Sequence, residues 1–258
     1  MTRMHRILFL VLGLVATFAT SGNAELVTVI NPSFEDISGE NFTNGFTFGP
    51  LNNGWGLYDP NSITGGGAGG TYYIGTLTPS AGSPFFPGGA TDGQRVGIAF
   101  NFEGSGGQGE YGMQQTLAAT LQPNTAYSLD VDIGNIASGP SFDLRGFPGY
   151  RVDLLAGGVV IAQDNNSLSG SIAEGTFETS NISFATTESH AQLGQSLQIR
   201  LVNINQIDAL FPDSDLEVDF DFVRLNATAV PEPSSFALLL AGTVIATVRR
   251  RRRIRPAN

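Results

Sequence analysis

Aromatic side chains cluster with amides and a carboxylate in the glycine-rich first half of the chain. The set comprises Trp55, Tyr58, Tyr72, Tyr73, Asn52, Asn53 and Asp59, and Trp55 is the only tryptophan. An aromatic ring packs against the apolar side of a sugar ring, while amide and carboxylate groups bind its hydroxyls. The pattern predicts a sugar-binding site at Trp55, Tyr58, Tyr72 and Tyr73. Core packing is the alternative for Trp55.

Carboxylates are abundant in the chain, and they are compatible with one class of enzyme, the glycosidases. All but Glu232 of the 23 acidic residues lie between residues 25 and 229. A glycosidase needs two carboxylates at a set separation, and Asp130 and Asp132 share one face of a predicted strand. The same segment has no cysteine, a single histidine (His190) and no G-x-S-x-G motif. We therefore expect a protein that is not an enzyme, with a glycan-cleaving enzyme as the alternative.

The charge balance excludes nucleic acid as a partner. The chain has no lysine, and only five of its 13 arginines lie between residues 25 and 229, against 22 carboxylates. Such a negative surface repels phosphate backbones. A body of about 205 residues is expected to form one domain with a sizeable core.

Apolar alternation predicts an all-β domain. Tyr127, Leu129, Val131 and Ile133 alternate with smaller or polar residues, which is the period of a half-buried strand. Gly157-Gly158 between two apolar runs predicts a β-hairpin. Short strands without amphipathic helices favour a jelly-roll-type β-sandwich. The glycine-rich residues 39–112 are expected to form long loops with one main strand at 94–100.

Several short motifs resemble those of galactose-binding-like jelly rolls, the fold of many carbohydrate-binding modules. They are Asn31-Pro32-Ser33-Phe34-Glu35, Gly54-Trp55, Gln115-Thr116-Leu117, Pro123 to Tyr127 and Asp221 to Leu225. The motifs occur in the family's order across residues 26–226, which extends the resemblance over the whole body.

That resemblance implies a structural calcium ion. In the family, the glutamate after the first phenylalanine and the aspartate of the last strand meet at the ion, which carries over to Glu35 and Asp221. Asp219 lies two residues earlier on the same strand face and is expected within reach. Calcium takes six to eight oxygen ligands, and Phe222 stands where the family has a second polar residue. Solvated charges at a sheet edge are the alternative.

The C-terminal residues 230–258 resemble the PEP-CTERM sorting signal of Gram-negative bacteria. The motif is Pro231, Glu232 and Pro233, followed by an uncharged run at 236–248 and by Arg249, Arg250, Arg251, Arg252 and Arg253. The run predicts a short hydrophobic helix, with the arginines on the cytoplasmic side. The resemblance implies recognition by a membrane-embedded exosortase and transient anchoring in the inner membrane. An ordinary tail anchor is the alternative.

The N-terminus predicts export as well. Arg3 and Arg6 precede an apolar run at 7–19, and small residues at 21–24 predict a signal peptide over residues 1–24. The folded body is therefore expected at residues 25–229.

These features predict an exported protein at the cell surface or in the extracellular or biofilm matrix. We expect its jelly roll to bind extracellular polysaccharide or a neighbouring matrix protein without catalysis. A purely structural adhesin with no discrete sugar site is the main alternative.

Overall fold

Strands account for the regular structure of the body. The computed structural model describes residues 24–65, 68–69, 72–79, 82–102 and 109–230, and these contain no α-helix. The strands are β1 Ala24–Val27, β2 Phe42–Thr43, β3 Phe46–Phe48, β4 Gly56–Tyr58, β5 Ala68–Gly69, β6 Tyr72–Leu77, β7 Val96–Asn101, β8 Tyr111–Thr120, β9 Thr125–Asn135, β10 Tyr150–Ala156, β11 Val159–Asn165, β12 Thr176–Ala185, β13 Ser196–Asn203 and β14 Leu216–Ala229.

The strands form two antiparallel sheets. The larger sheet has the order β12-β9-β14-β7-β6-β3-β2, with β1 paired to β14 and β5 paired to β6. The smaller sheet has the order β11-β10-β13-β8-β4. The predicted all-β jelly-roll sandwich is confirmed, and residues 24–228 form one compact unit.

Both predicted targeting segments lie mostly or wholly outside the described residues. The signal peptide is described only at Ala24, and the sorting motif and C-terminal hydrophobic helix fall within 231–258. No helix in the described part of the chain is long and apolar enough to cross a membrane.

The main core lies between the two sheets. Leu129, Val131 and Ile133 of β9 are fully buried there, as the alternation of that strand predicts, and they pack against residues such as Ile199 and Leu201 of β13. The intervening β9 positions point to the other face of the larger sheet. Burial of these alternate side chains provides the hydrophobic stabilisation of the sandwich.

The predicted hairpin at Gly157-Gly158 is present between β10 and β11. Both glycines have positive φ angles, 58° and 81°, which a two-residue turn of this hand requires and which glycine adopts without steric cost.

The glycine-rich segment contains more strand than the sequence predicts. Besides β7, it forms the short strands β2 to β6. In β6, the backbone of Gly75 lies very close to the neighbouring strand β3. A Cβ atom at Gly75 would lie 2.0 Å from the carbonyl oxygen of Thr47. Gly75 therefore allows β3 and β6 to pair, although glycine was expected to indicate a loop in this segment.

Trp55 contributes to the core. Its side chain is fully buried, its ring stacks on Phe34 with centroids 5.4 Å apart, and its indole N–H donates to the carbonyl of Asn31 at 2.9 Å. The Trp55→Ala variant should therefore lose about 3–5 kcal/mol of unfolding free energy in urea denaturation. The matched Phe42→Ala variant removes a ring that is 51% exposed and should lose less than about 1 kcal/mol. Equal losses in both would contradict this packing.

Candidate active site

Strand β14 carries three acids on one face. Glu217, Asp219 and Asp221 alternate with Val218 and Phe220, and all five residues are buried. Val218 and Phe220 belong to the core between the sheets. The three carboxyl groups therefore point to the opposite, outer face of the larger sheet. Three buried acids on one strand face carry a large desolvation cost, which marks this face as a candidate site.

Strand register places aromatic and aliphatic side chains beside two of these acids. Glu217 lies opposite Phe100 of β7, and Phe100 lies opposite Tyr73 of β6. Asp219 lies opposite Ile98. Side chains of directly paired residues share a face, so these residues form two adjacent rows on the outer face. The rings of Tyr73 and Phe100 are stacked, with centroids 4.7 Å apart.

A second apolar cluster covers this face, and we call it the roof. It includes Phe86, Ile136 and Leu144, which are buried, with Phe177 packed against them. The rings of Phe86 and Phe177 stack at 4.4 Å. The roof keeps bulk water away from Glu217 and Asp219, which we call the acid pair.

Gly134 makes room for both layers. A Cβ atom at this position would lie 2.5 Å from a ring carbon of Phe177 and 2.9 Å from Cβ of Asp219. The absent side chain thus lets a roof aromatic and a buried acid approach the same backbone position. Any larger residue would push one of them out of place.

The acid pair holds a proton at neutral pH. Burial raises the pKa of Glu217 to about 8, and burial together with the neighbouring Glu217 charge raises the pKa of Asp219 well above its usual range. Oε1 of Glu217 and both carboxylate oxygens of Asp219 lack a donor among the described residues. A proton on Asp219 converts the contact between the two carboxyl groups into a hydrogen bond.

The surroundings do not supply a compensating cation. None of the ion pairs in the described part of the chain includes Glu217 or Asp219. Burial, with the Glu217 and Asp215 charges, also raises the pKa of Tyr73, so its hydroxyl stays protonated. The acid pair is therefore a neutral or singly charged proton donor within an apolar aromatic site, an arrangement suited to general acid catalysis.

Asp221 has a different environment from the acid pair. Its Oδ2 accepts the N–H groups of Thr91 and Asp92 at 2.8 and 2.9 Å, and the Thr91 hydroxyl at 2.8 Å. Glu35 Oε1 accepts the N–H groups of Gln94 and Arg95 at 2.6 and 2.7 Å. The two carboxylates hold one turn, residues 91–95, from two sides.

The predicted calcium ligands are thus only partly brought together. Glu35 and Asp221 converge on the 91–95 turn, whereas Asp219 belongs to the acid pair. A Cβ atom at Gly93 would lie 2.4 Å from Glu35 Oε1, so the turn fits closely around that carboxylate. The described residues contain no group of three acids or histidines that could hold a metal ion.

The predicted sugar-binding residues lie in separate places. Trp55 is in the core, while Tyr73 stacks on Phe100 at the acid pair. Tyr58 lies on β4 of the smaller sheet, where the Arg200 guanidinium sits 4.6 Å above its ring. The side chain of Tyr72 is outside the described part of the structure.

A shallow groove of about 410 Å³ lies at the other end of the outer face, away from the acid pair. It is lined by Ala126, Tyr127, Ser128, Ser183, Phe184, Ala185, Asn226 and Thr228. None of these is a carboxylate or a histidine, so the groove offers no strong acid or base.

Comparison with known proteins identifies the relatives of this body. Residues 25–226 match the HpiC1-like family model, described as HpiC1 cyclase, and residues 229–253 match the PEP-CTERM protein-sorting motif. The chain belongs to the HpiC1-like cyclase family. The predicted sorting motif is confirmed, and it supports an exported protein that is processed by an exosortase. The search of curated proteins found no match.

Solved structures of cyclases from Fischerella sp. TAU, the first of them a Stig cyclase, share the fold. One, in complex with (3Z)-3-(1-methyl-2-pyrrolidinylidene)-3H-indole, is 35% identical with a TM-score of 0.70 and covers 81% of this chain and 100% of its own. Another, in complex with 4-(1H-indol-3-yl)butan-2-one, is 36% identical with a TM-score of 0.69 and covers 80% of this chain and 99% of its own.

The expectation of a protein that is not an enzyme is wrong, because the family and these relatives are cyclases. That expectation considered nucleophiles, histidine and separated carboxylate pairs, and it overlooked Glu217. The signal was present in the alternation Glu217-Val218-Asp219-Phe220. In this strand the acids alternate with core residues and are themselves buried, so both faces of the sheet are covered here.

The acid pair makes stability depend on pH. The pKa of Glu217 rises from its ordinary 4.5 in the unfolded chain to about 8 in the folded protein. Between these two pH values the folded state therefore binds more protons than the unfolded state. Stability should therefore fall as pH rises through this window, by at most about 1.4 kcal/mol per pH unit for one proton. Urea denaturation of the Glu217→Gln variant should give a shallower slope. The exposed Glu174→Gln variant should retain the native slope, and a native curve that is flat or rising would contradict the assignment.

Proposed function

We propose that this chain is an exported cyclase in which the acid pair starts ring closure of an aromatic substrate that carries an alkene. The observation that carries this proposal is a pair of buried carboxyl groups beneath an aromatic roof, without an ion-pair partner in the described part of the chain, in a chain of a cyclase family. The relatives bind indole compounds, so we extend the substrate class to an indole with an alkenyl chain.

The proposed reaction moves one proton in a closed cycle. Asp219 transfers its proton to a carbon of the alkene or the indole, which leaves a carbocation and a carboxylate. A second π bond of the substrate attacks the cation and closes the ring. Loss of a proton from the new cation restores a double bond and reprotonates the acid pair. Substrate and product are isomers, and no electrons are gained or lost.

The surrounding side chains fit this cycle. Glu217 accepts a hydrogen bond from the Asp219 carboxyl and so directs its proton. The rings of Phe100 and Tyr73 lie beside the acids, where their π faces stabilise positive charge. The stacked Phe86 and Phe177 rings exclude the water that would otherwise trap the cation.

Asp219→Asn tests the general acid. The amide keeps the shape of the carboxyl but donates no acidic proton, so turnover of an alkenyl-indole to an isomer of equal mass should fall by about 100-fold or more. The Kd of 4-(1H-indol-3-yl)butan-2-one, measured by isothermal titration calorimetry, should change by only a few fold.

Asp130→Asn is the matched control, because it changes an acid on the same sheet face outside the roof. It should retain native turnover. Full turnover by Asp219→Asn would overturn the proposal, and loss of turnover only in Asp130→Asn would favour a different carboxylate as the acid.

We also propose a structural calcium ion at Glu35 and Asp221. Their carboxylates converge on one turn, and the backbone and water would supply the remaining oxygens that calcium requires. Asp219, the third predicted ligand, is assigned here to the acid pair. The ion would fix the turn and take no part in proton transfer.

Thermal unfolding tests the ion. Millimolar calcium should raise the unfolding temperature by several degrees relative to the same sample in EGTA, since a ligand at 100 times its Kd adds about 2.7 kcal/mol. Glu35→Gln should lose this increment and the exposed Glu25→Gln should keep it. Identical melting curves in calcium and EGTA would refute the site.

Polysaccharide binding and placement at the cell surface or in the matrix stay predictions. The observation in favour of a sugar site is Tyr58, whose half-buried ring lies under Arg200 beside the exposed Gln114 on the outer face of the smaller sheet. Such a site would lie on the sheet opposite the acid pair, so binding of a neutral sugar and cyclisation are compatible.

A further inference from the structure

An asparagine occupies a core-facing position at the end of β13. Leu197, Ile199 and Leu201 of this strand lie in the core between the sheets, and Asn203 is the next residue in the same alternation. Its side chain is fully buried, although an apolar side chain would fill such a position without losing hydration. A buried amide is stable there only when its polar atoms have partners.

The Asn203 amide reaches across the core to the larger sheet. Its Nδ2 lies 2.9 Å from the carbonyl oxygen of Ala99 on β7 and 3.4 Å from that of Leu216 on β14. It also lies 3.2 Å from the hydroxyl of Tyr111. Its Oδ1 accepts the N–H group of Asn205 at 2.7 Å, which fixes the orientation of the amide. One side chain of the smaller sheet therefore binds two strands of the larger sheet.

The two carbonyl groups that Asn203 binds come directly before two residues of the candidate site. The Ala99 carbonyl belongs to the peptide group that leads to Phe100. The Leu216 carbonyl belongs to the peptide group that leads to Glu217. Phe100 and Glu217 lie opposite each other on β7 and β14. Asn203 thus holds the backbone in front of both paired residues, from the face opposite to their side chains.

Glu217 lies where β14 is held less firmly than at its centre. The strand begins at Leu216, and residues 206–215 before it form no strand. The ends of such elements open locally more readily than their centres. Burial of a carboxyl group adds to this tendency, because Glu217 would regain its hydration outside the roof. A bond to the first residue of β14 therefore stabilises the part of the strand that most needs it.

We propose that Asn203 is a positioning residue for the acid pair. It holds the start of β14 against β7, where Glu217 can accept the hydrogen bond of the Asp219 carboxyl beneath the roof. This role rests on the proposed cyclisation, in which that hydrogen bond directs the proton. Asn203 lies on the core side of the sheet and acts on the acid pair only through the backbone.

A small shift of β14 would alter the acid pair in two ways. Hydrogen bonds weaken steeply as their geometry is distorted, and a misplacement of about 1 Å can cost roughly 100-fold in rate. The shift would also let water reach Glu217 and so lower its pKa towards the ordinary value. The other ionisable groups around Glu217 are Asp215, Asp219 and Tyr73, and none of them is changed in the variants that test Asn203.

The test compares two variants of the full chain that each remove one buried amide. Asn203→Leu has a side chain of similar size but leaves the two carbonyl groups without its donor. Gln115→Met is the matched control. Gln115 is buried as well, and its amide binds the N–H and C=O groups of Ile30 instead of β7 or β14. Both variants should lower the midpoint of urea unfolding.

The first readout does not need turnover. In the native chain, stability should fall with rising pH up to about 8, the folded pKa of Glu217. In Asn203→Leu this upper limit should move down by roughly half a pH unit or more, because water reaches the carboxyl group. Gln115→Met should keep the native limit. In the Glu217→Gln background, Asn203→Leu should leave the pH dependence nearly unchanged, since Asn203 acts through Glu217.

The second readout is turnover of an alkenyl-indole. Asn203→Leu should lower kcat by about 10- to 100-fold, and the fall of kcat at high pH should begin at a lower pH than in the native chain. The Kd of 4-(1H-indol-3-yl)butan-2-one should change by only a few fold. Gln115→Met should keep both the native kcat and the native pH profile.

The outcomes separate this role from the proposed reaction. An unmoved upper limit in Asn203→Leu, or an equal shift in Gln115→Met, would overturn the positioning role. Absence of turnover in the native chain would refute the reaction, and the stability curves would then decide the role of Asn203 alone. If Asn203→Leu does not fold, Asn203→Ala removes the amide without placing an apolar group beside the carbonyls. It should show a shift in the same direction, and the native limit in this variant would count against the role.

Discussion

The cost of burying two carboxyl groups side by side shapes this protein. An ionised carboxylate in an apolar environment loses several kcal/mol of hydration, and two adjacent ones repel each other as well. Glu217 and Asp219 avoid this cost by retaining a proton, which lets them lie on the same face as Ile98 and Phe100. Burial of the two carboxyl groups destabilises the fold, but it also suits them to proton transfer. It keeps away the water and cations that would favour their ionised forms.

The alternation of strand β14 between core-facing and outward-facing residues changes once, at Phe222. Phe222 has a φ of 47°, an unusual value for a bulky residue, and Asp221 Oδ1 accepts its N–H group. After this irregularity Val223 enters the core, and its N–H donates to the carbonyl of Pro32. Acids therefore occupy the outer face before the irregularity, and core residues follow directly after it.

Local patterns in the sequence were sufficient for the sandwich but not for the site. The period-2 run around Leu129 and the Gly157-Gly158 turn act over a few residues, so both could be predicted. The acid pair depends on contacts between distant segments: Phe177 and Asp219 approach each other only at Gly134 of the folded sheet, and Phe86 stacks on Phe177. Trp55 illustrates the opposite error, since its type suggested a ligand platform while its side chain is fully buried and its indole N–H bonds to the backbone carbonyl of Asn31. Side-chain type indicates chemistry, but burial decides whether the chemistry is available.

The 91–95 turn connects the predicted calcium residues to the acid pair through the backbone. It leads directly into β7, which carries Ile98 and Phe100 opposite the two acids. Glu35 and Asp221 fix the start of that strand through N–H bonds. A displacement of the turn would move Ile98 and Phe100, which lie opposite the two acids. Densely packed interiors transmit such shifts. An ion at this turn would consequently act on the site by positioning β7. The proton chemistry would remain with Glu217 and Asp219, which lie on the neighbouring strand.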